Sequence, residues 1–210
     1  MNLSFSSREL RDLLVAWAAL GFAFAVFFAG GGSRGLLATL RGGLFGPLVV
    51  SLLTAGLGFL LHELAHKVVA IRFDQVAEFR ADYGMLFLAV MSALVGFIFA
   101  APGAVHHRGR ITEREHGLIA LAGPVTNLLL SLLFLAVVIL GALVGSPGVR
   151  FLGARGLAIN LFLAAFNMLP IGSLDGRTVL GWSKAVFALV FVPAVGLTLV
   201  VVFGLGVGLS

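Results

Sequence analysis

His62, Glu63 and His66 lie within the stretch FLLHELAHKVVAIR, residues 59 to 72, and their types and spacing describe a metal chemistry. On a helix, residues four apart stand one above the other, so His62 and His66 can present two imidazole nitrogens to a single Zn²⁺. Glu63 falls beside them. In HExxH helices of this kind the glutamate takes a proton from the water that the metal activates. A pattern this short arises by chance in soluble helices, but here it sits in an apolar run. An ionisable side chain at membrane depth costs at least ~2.5 kcal/mol, so a cluster of three calls for a function.

Zinc needs a third protein ligand, with one position left for water. The chain has no cysteine, so that ligand must be His, Asp or Glu. The glycine and third histidine of the longer zincin pattern are absent, because Val69 and Arg72 stand in their places. Asp175 is the candidate. It closes the segment NMLPIGSLDG, residues 167 to 176, where Pro170 stops a helix and Gly172 and Ser173 leave the backbone irregular. Irregular backbone near membrane depth is tolerated only where protein buries it or a watery cavity receives it. The alternative is that Asp175 merely opens a loop or caps the next helix.

The elements that must position these groups are membrane helices. Of 210 residues, 60% are hydrophobic and 11% charged, and the mean hydropathy is +1.12, far above that of a soluble domain. The 28 glycines suit helices that pack by close backbone approach. The GxxxG pairs Gly42 with Gly46 and Gly141 with Gly145 read as such packing. A net charge of +5 comes from 14 basic residues spread over short loops, which fits membrane topology and gives no nucleic-acid patch.

Five spans are expected at about 12 to 30, 44 to 71, 117 to 144, 155 to 169 and 184 to 208. The first reads as an uncleaved anchor, with a signal peptide as the competing reading. The apolar stretch 85 to 102 either crosses or dips in and returns. If it does not cross, Arg8, Arg11, Lys67, Arg72, Arg80, Arg108, Arg110, Arg114, Arg177 and Lys184 share one side, against Arg34, Arg41, Arg150 and Arg155 on the other. The positive-inside rule then puts the N-terminus in the cytoplasm. The same topology makes the second and fourth spans parallel, which the meeting of His62, His66 and Asp175 requires. Residue 62 then lies about 15 Å from Arg72 along its helix, inside the membrane but nearer the cytoplasmic face. Residues 76 to 81 carry a weak strand pattern, and an exposed edge strand there could take up an unwound substrate segment. His106, His107 and His116 read as solvated loop residues, beside arginines suited to lipid headgroups.

With these motifs in place, the chain resembles the site-2 protease family of intramembrane zinc metalloproteases. The resemblance rests on His62, Glu63 and His66, on GPVTN at 123 to 127, and on Asn167, Pro170, Leu174, Asp175 and Gly176 in an NxxPxxxLDG pattern. It implies one zinc per chain on His62, His66 and Asp175, with Glu63 as general base. It also assigns Asn167 to the scissile carbonyl, where an amide N–H could steady a developing oxyanion; an asparagine bonding backbone near Pro170 is the alternative. Family members often carry a second proline before LDG and a second glycine after it, where this chain has Gly172, Ser173 and Arg177. Asn127 matches the family without a chemical role derivable from sequence, and helix packing around Gly123 and Pro124 is its default reading.

The expectation is therefore an all-α polytopic membrane protein of about five spans plus a re-entrant or β-hairpin segment. It forms one domain, residues 1 to 210, with a three-helix catalytic core at about 44 to 176. Its expected activity is an endopeptidase acting in or near transmembrane segments of other membrane proteins, in the plasma membrane of a prokaryote. Its partners are that substrate and the bilayer, without nucleic acid. A zinc transporter or a non-proteolytic binding protein is the rival, although Lys67 beside His66 is a poor neighbour for a cation in transit.

Overall fold

The computed structural model describes residues 3 to 43, 45 to 98 and 102 to 208. Its architecture is that of an all-α polytopic membrane protein with a small two-stranded sheet. Among the described residues, five helical segments are long and apolar enough to cross a bilayer: Ser7–Phe28, Phe45–Arg72, Glu113–Leu143, Pro147–Asn167 and Lys184–Gly204. The chain divides into two compact units, one holding Leu61–Ala77 and the chain from His107 onward, the other Ser4–Leu60 and Glu78–His106.

In the second unit, α1 (Ser7–Phe28) starts five residues earlier than hydropathy suggests. Ser6 caps it by accepting from the Glu9 N–H at 3.0 Å. The two carboxylates of its first turns, Glu9 and Asp12, are buried. Their carboxylates meet the backbone of β1 (Val76–Ala81): the Phe79 N–H donates to Glu9 Oε1 at 3.0 Å and the Ala81 N–H to Asp12 Oδ2 at 3.4 Å. Tyr83 Oη donates to the other Asp12 oxygen at 2.7 Å, and Ser6 Oγ to Glu78. The Phe79 ring is buried edge-on against Phe59, centroids 5.8 Å apart.

Beyond Gly30 the chain forms α2 (Gly32–Gly42). The second apolar segment is α3 (Phe45–Ser51), a π-helical turn (Leu52–Gly56) and α4 (Leu57–Arg72). In that turn the Leu52 carbonyl accepts twice, from the Leu57 N–H five residues on and from Trp17 Nε1–H at 3.1 Å. The ambiguous stretch after β1 becomes α5 (Tyr83–Val95), whose 13 residues are too few to span, so the dipping alternative matches the helix observed. Residues 99 to 101 lie outside the described residues. A second strand, β2 (Gly103–Arg108), runs into the stretch expected as a loop from His106 and is hydrogen-bonded to β1, which makes a small two-stranded sheet with α5 between its strands in sequence.

In the first unit, α6 (Glu113–Leu143) begins with a capping box, Thr112 and Glu115 each holding the other's backbone N–H. Leu129, Leu132 and Leu133 expose about 60% of their surface, an apolar face suited to lipid. α7 (Pro147–Asn167) packs against α6 by close approach: a Cβ on Gly153 would stand 2.6 Å from the Val138 nitrogen, and one on Gly156 would enter the Phe134 ring. Of the GxxxG glycines, Gly141 makes such an approach, to Arg150, whereas Gly42, Gly46 and Gly145 have open space around them. A short α8 (Asp175–Trp182) follows, then α9 (Lys184–Leu197) and a π-helical end (Thr198–Gly204).

Candidate metal centre

Three donor atoms converge in the first unit. His62 and His66 project from α4 with their Nε2 atoms 3.0 Å apart, and Asp175 Oδ2 stands 3.3 Å from the first and 3.4 Å from the second. Zinc bonds of ~2.0–2.1 Å at tetrahedral angles separate ligand atoms by about 3.3–3.4 Å, so the triangle is close to the size a zinc ion requires. Among the described residues it is the single grouping of His, Asp or Glu able to hold a metal.

The chemistry of the donors supports the fit independently. His66 Nδ1 lies 2.7 Å from the Ile119 carbonyl, which can only accept, so this nitrogen carries the proton and Nε2 a lone pair. His62 Nδ1 donates to Asn127 Oδ1 at 2.6 Å, with the same result. Two lone pairs and a carboxylate oxygen thus face one another at contact distance. Such a cluster repels itself unless a cation sits between its members.

Asp175 lies outside the five spans. It is the first residue of α8, yet its carboxylate turns to the imidazoles and not to the helix end, unlike the cap considered from sequence. The turn that delivers it is pinned at both ends. Met168 and Val179 are fully buried in a cluster with Ala120 of α6, while Gly172 adopts a left-handed φ of 57°. Arg177 Nη1 donates to Gly172 O at 3.1 Å and closes the loop, so the residue that departs from the family pattern braces the irregular segment.

The GPVTN stretch acts on the same imidazoles. Gly123 leaves them room: a Cβ there would stand 2.5 Å from the Nε2 of both His62 and His66. Pro124 has no N–H to return to Ala120, which loosens the turn of α6 where Ile119 offers its carbonyl to His66. Asn127 lies one turn further and holds His62. Gly123→Ala is accordingly expected to lower zinc affinity by about 10–100-fold, the range for disturbing a ligand's orientation. Competition against a chromophoric chelator measures it; an alanine variant with undiminished affinity would mean that the rings need no such clearance.

Glu63 is buried on the turn between the two histidines, and Lys67 is almost fully buried one turn beyond it. Asn167, at the end of α7, is half-buried and donates from Nδ2 to Leu163 O at 3.0 Å, a backbone bond within its own helix. His106 and His107 lie on β2 rather than in a loop, and the His107 ring sits 5.5 Å from that of His116.

Comparison with known proteins agrees with this geometry. The chain is 38% identical over 95% of its length, and 97% of the relative's, to a Methanocaldococcus jannaschii protein named "Putative zinc metalloprotease MJ0611". It is 30% identical over 63% of its length, and 67% of the relative's, to the Bacillus subtilis "Putative zinc metalloprotease YwhC". A third relative, the Mycobacterium tuberculosis "Putative zinc metalloprotease Rip3", is 38% identical over 56% of this chain but only 26% of its own. No family model and no solved structure matches the chain.

Proposed function

This chain belongs to the site-2 protease family of zinc metalloproteases, and we propose that it is an intramembrane endopeptidase of the HExxH type, cleaving in or near transmembrane segments of other membrane proteins. The observation that carries the proposal is the triangle of His62 Nε2, His66 Nε2 and Asp175 Oδ2, 3.0 to 3.4 Å on a side, with both Nδ1 atoms already engaged. These three residues would hold one Zn²⁺ per chain. When bound, zinc polarises a carbonyl and brings the pKa of a coordinated water to about 7. Glu63 then serves as general base, holding the proton of the attacking water and returning it to the leaving amine. Asn167 carries a second N–H on the amide nitrogen that bonds Leu163, and in this reading that N–H steadies the charge developing on the scissile carbonyl.

The reading places the catalytic core at about 44 to 176 within a single domain, in a prokaryotic plasma membrane with the N-terminus in the cytoplasm. Ten of the fourteen Lys and Arg residues then fall on the cytoplasmic side. Against the transporter alternative stands Lys67, a buried lysine next to His66 in the chain. The test is cleavage of a model transmembrane substrate by the purified chain in vesicles. Cleavage should stop on chelation and return with added zinc. Zinc flux across the vesicles without cleavage would instead establish the transporter, and bound zinc with neither would leave a binding protein.

A further inference from the structure

A buried hydrogen-bond relay leads away from the metal-facing imidazole into α7. His62 Nδ1 meets Asn127 Oδ1 at 2.6 Å, Asn127 Nδ2 donates to Asn160 Oδ1 at 2.9 Å, and Asn160 Nδ2 donates to Gly156 O at 2.9 Å. Both asparagines are 0% exposed, in helices that hydropathy alone would fill with apolar side chains. Three helices contribute: α4 the histidine, α6 Asn127 and α7 Asn160 with its carbonyl anchor.

One end of this relay has a fixed chemical identity. The Gly156 carbonyl can only accept, so Asn160 must turn its amide nitrogen towards it and its oxygen towards Asn127. Asn127 must therefore donate with its nitrogen, which leaves its own oxygen for His62. An oxygen at that place requires a proton on His62 Nδ1, and the lone pair falls on Nε2, the atom facing His66 and Asp175. An asparagine side chain can offer either an oxygen or an N–H at a given place, depending on which way its amide is turned. Rotated by a half-turn, the Asn127 amide would present N–H to Nδ1 and make that nitrogen the acceptor. The ring proton would then sit on Nε2, where it blocks a metal.

We propose that Asn160 is a positioning residue of the metal centre: it holds the Asn127 amide in the one orientation that keeps His62 Nε2 unprotonated and ready for zinc. This rests on the zinc reading above. Asn160 does not touch His62 or the metal position; it acts one hydrogen bond removed, and it does so through helix packing, since the Gly153 and Gly156 contacts bring α7 close enough to α6 for the amides to meet.

The test compares zinc dissociation constants, by chelator competition on the full chain, for Asn160→Leu in two backgrounds. In the unsubstituted background the loss of the acceptor should weaken zinc by about 10–100-fold, and Asn160→Asp, which still accepts from Asn127, should restore binding. In an Asn127→Asp background a carboxylate accepts from His62 whichever way it turns, so Asn160→Leu should cause no further loss. Equal weakening in both backgrounds would reduce Asn160 to a packing role, and no weakening in either would remove it from the site. A measurement without variants guards against misfolding: ¹⁵N NMR of the histidine rings in the zinc-free chain should find His62 as the Nδ1–H tautomer. Finding Nε2–H there overturns the proposal, whereas an unsubstituted chain that binds no zinc at all overturns the metal reading beneath it.

Discussion

Glu63→Gln is expected to lower cleavage of a transmembrane substrate by about 10²–10⁴-fold, the usual worth of a positioned proton-transfer group, while zinc content stays at the unsubstituted level. The two outcomes separate because Glu63 is not among the three converging donor atoms, although it is buried on the same helix turn. Glutamine keeps the volume and a carbonyl oxygen but cannot take up a proton at neutral pH. A variant that still cleaves at the unsubstituted rate removes the general-base role; one that loses zinc along with activity would make Glu63 part of the ion's binding set instead. Both readouts belong in the same preparation, since a drop in rate alone cannot tell the two apart.

Asp175→Ala should strip the site of its metal altogether. The triangle loses its only negative charge and becomes a pair of imidazoles whose lone pairs meet at 3.0 Å. The loss in zinc affinity should exceed the about 10–100-fold typical when an outer hydrogen-bond partner of a ligand is removed, and cleavage should fall below detection. Elemental analysis after dialysis, together with the substrate assay, checks both. Retained zinc and retained hydrolysis in the alanine variant would mean that Oδ2 faces the imidazoles for another reason.

Much of this site was legible in the sequence because its chemistry violates its surroundings. His62, Glu63 and His66 stand out against an apolar run, and Asp175 against a segment whose proline and glycine forbid a regular helix. The same argument, applied further, points to Asn127, whose chemical role the motif left open, and to Asn160, which no motif marked. What could not be read was which amide faces which imidazole, since this depends on the approach of α6 to α7 across 33 positions of sequence. Gly123 looked like a packing glycine because spacing does not reveal that two rings lie against it.

The helices were legible in number and imprecise at their ends. Charge shortened the first span: Arg8, Glu9, Arg11 and Asp12 set its expected start at about 12, whereas the helix begins at Ser7 and Glu9 and Asp12 are buried because β1 supplies them with N–H donors. At the fourth span, Arg150 and Arg155 hid a helix that begins at Pro147 behind the Ser146 cap. The position of β2 was not legible because GAVHHR lacks the apolar alternation of a half-buried strand, and partnership with β1 is long-range information.

The carboxylates of Glu9 and Asp12 do for β1 what a third strand would do. They satisfy Phe79 and Ala81 along one margin, while β2 occupies the opposite one. The little sheet is thereby sealed on its α1 side, and any extended peptide that joins it must zip along β2, so growth by strand pairing has a single permitted direction.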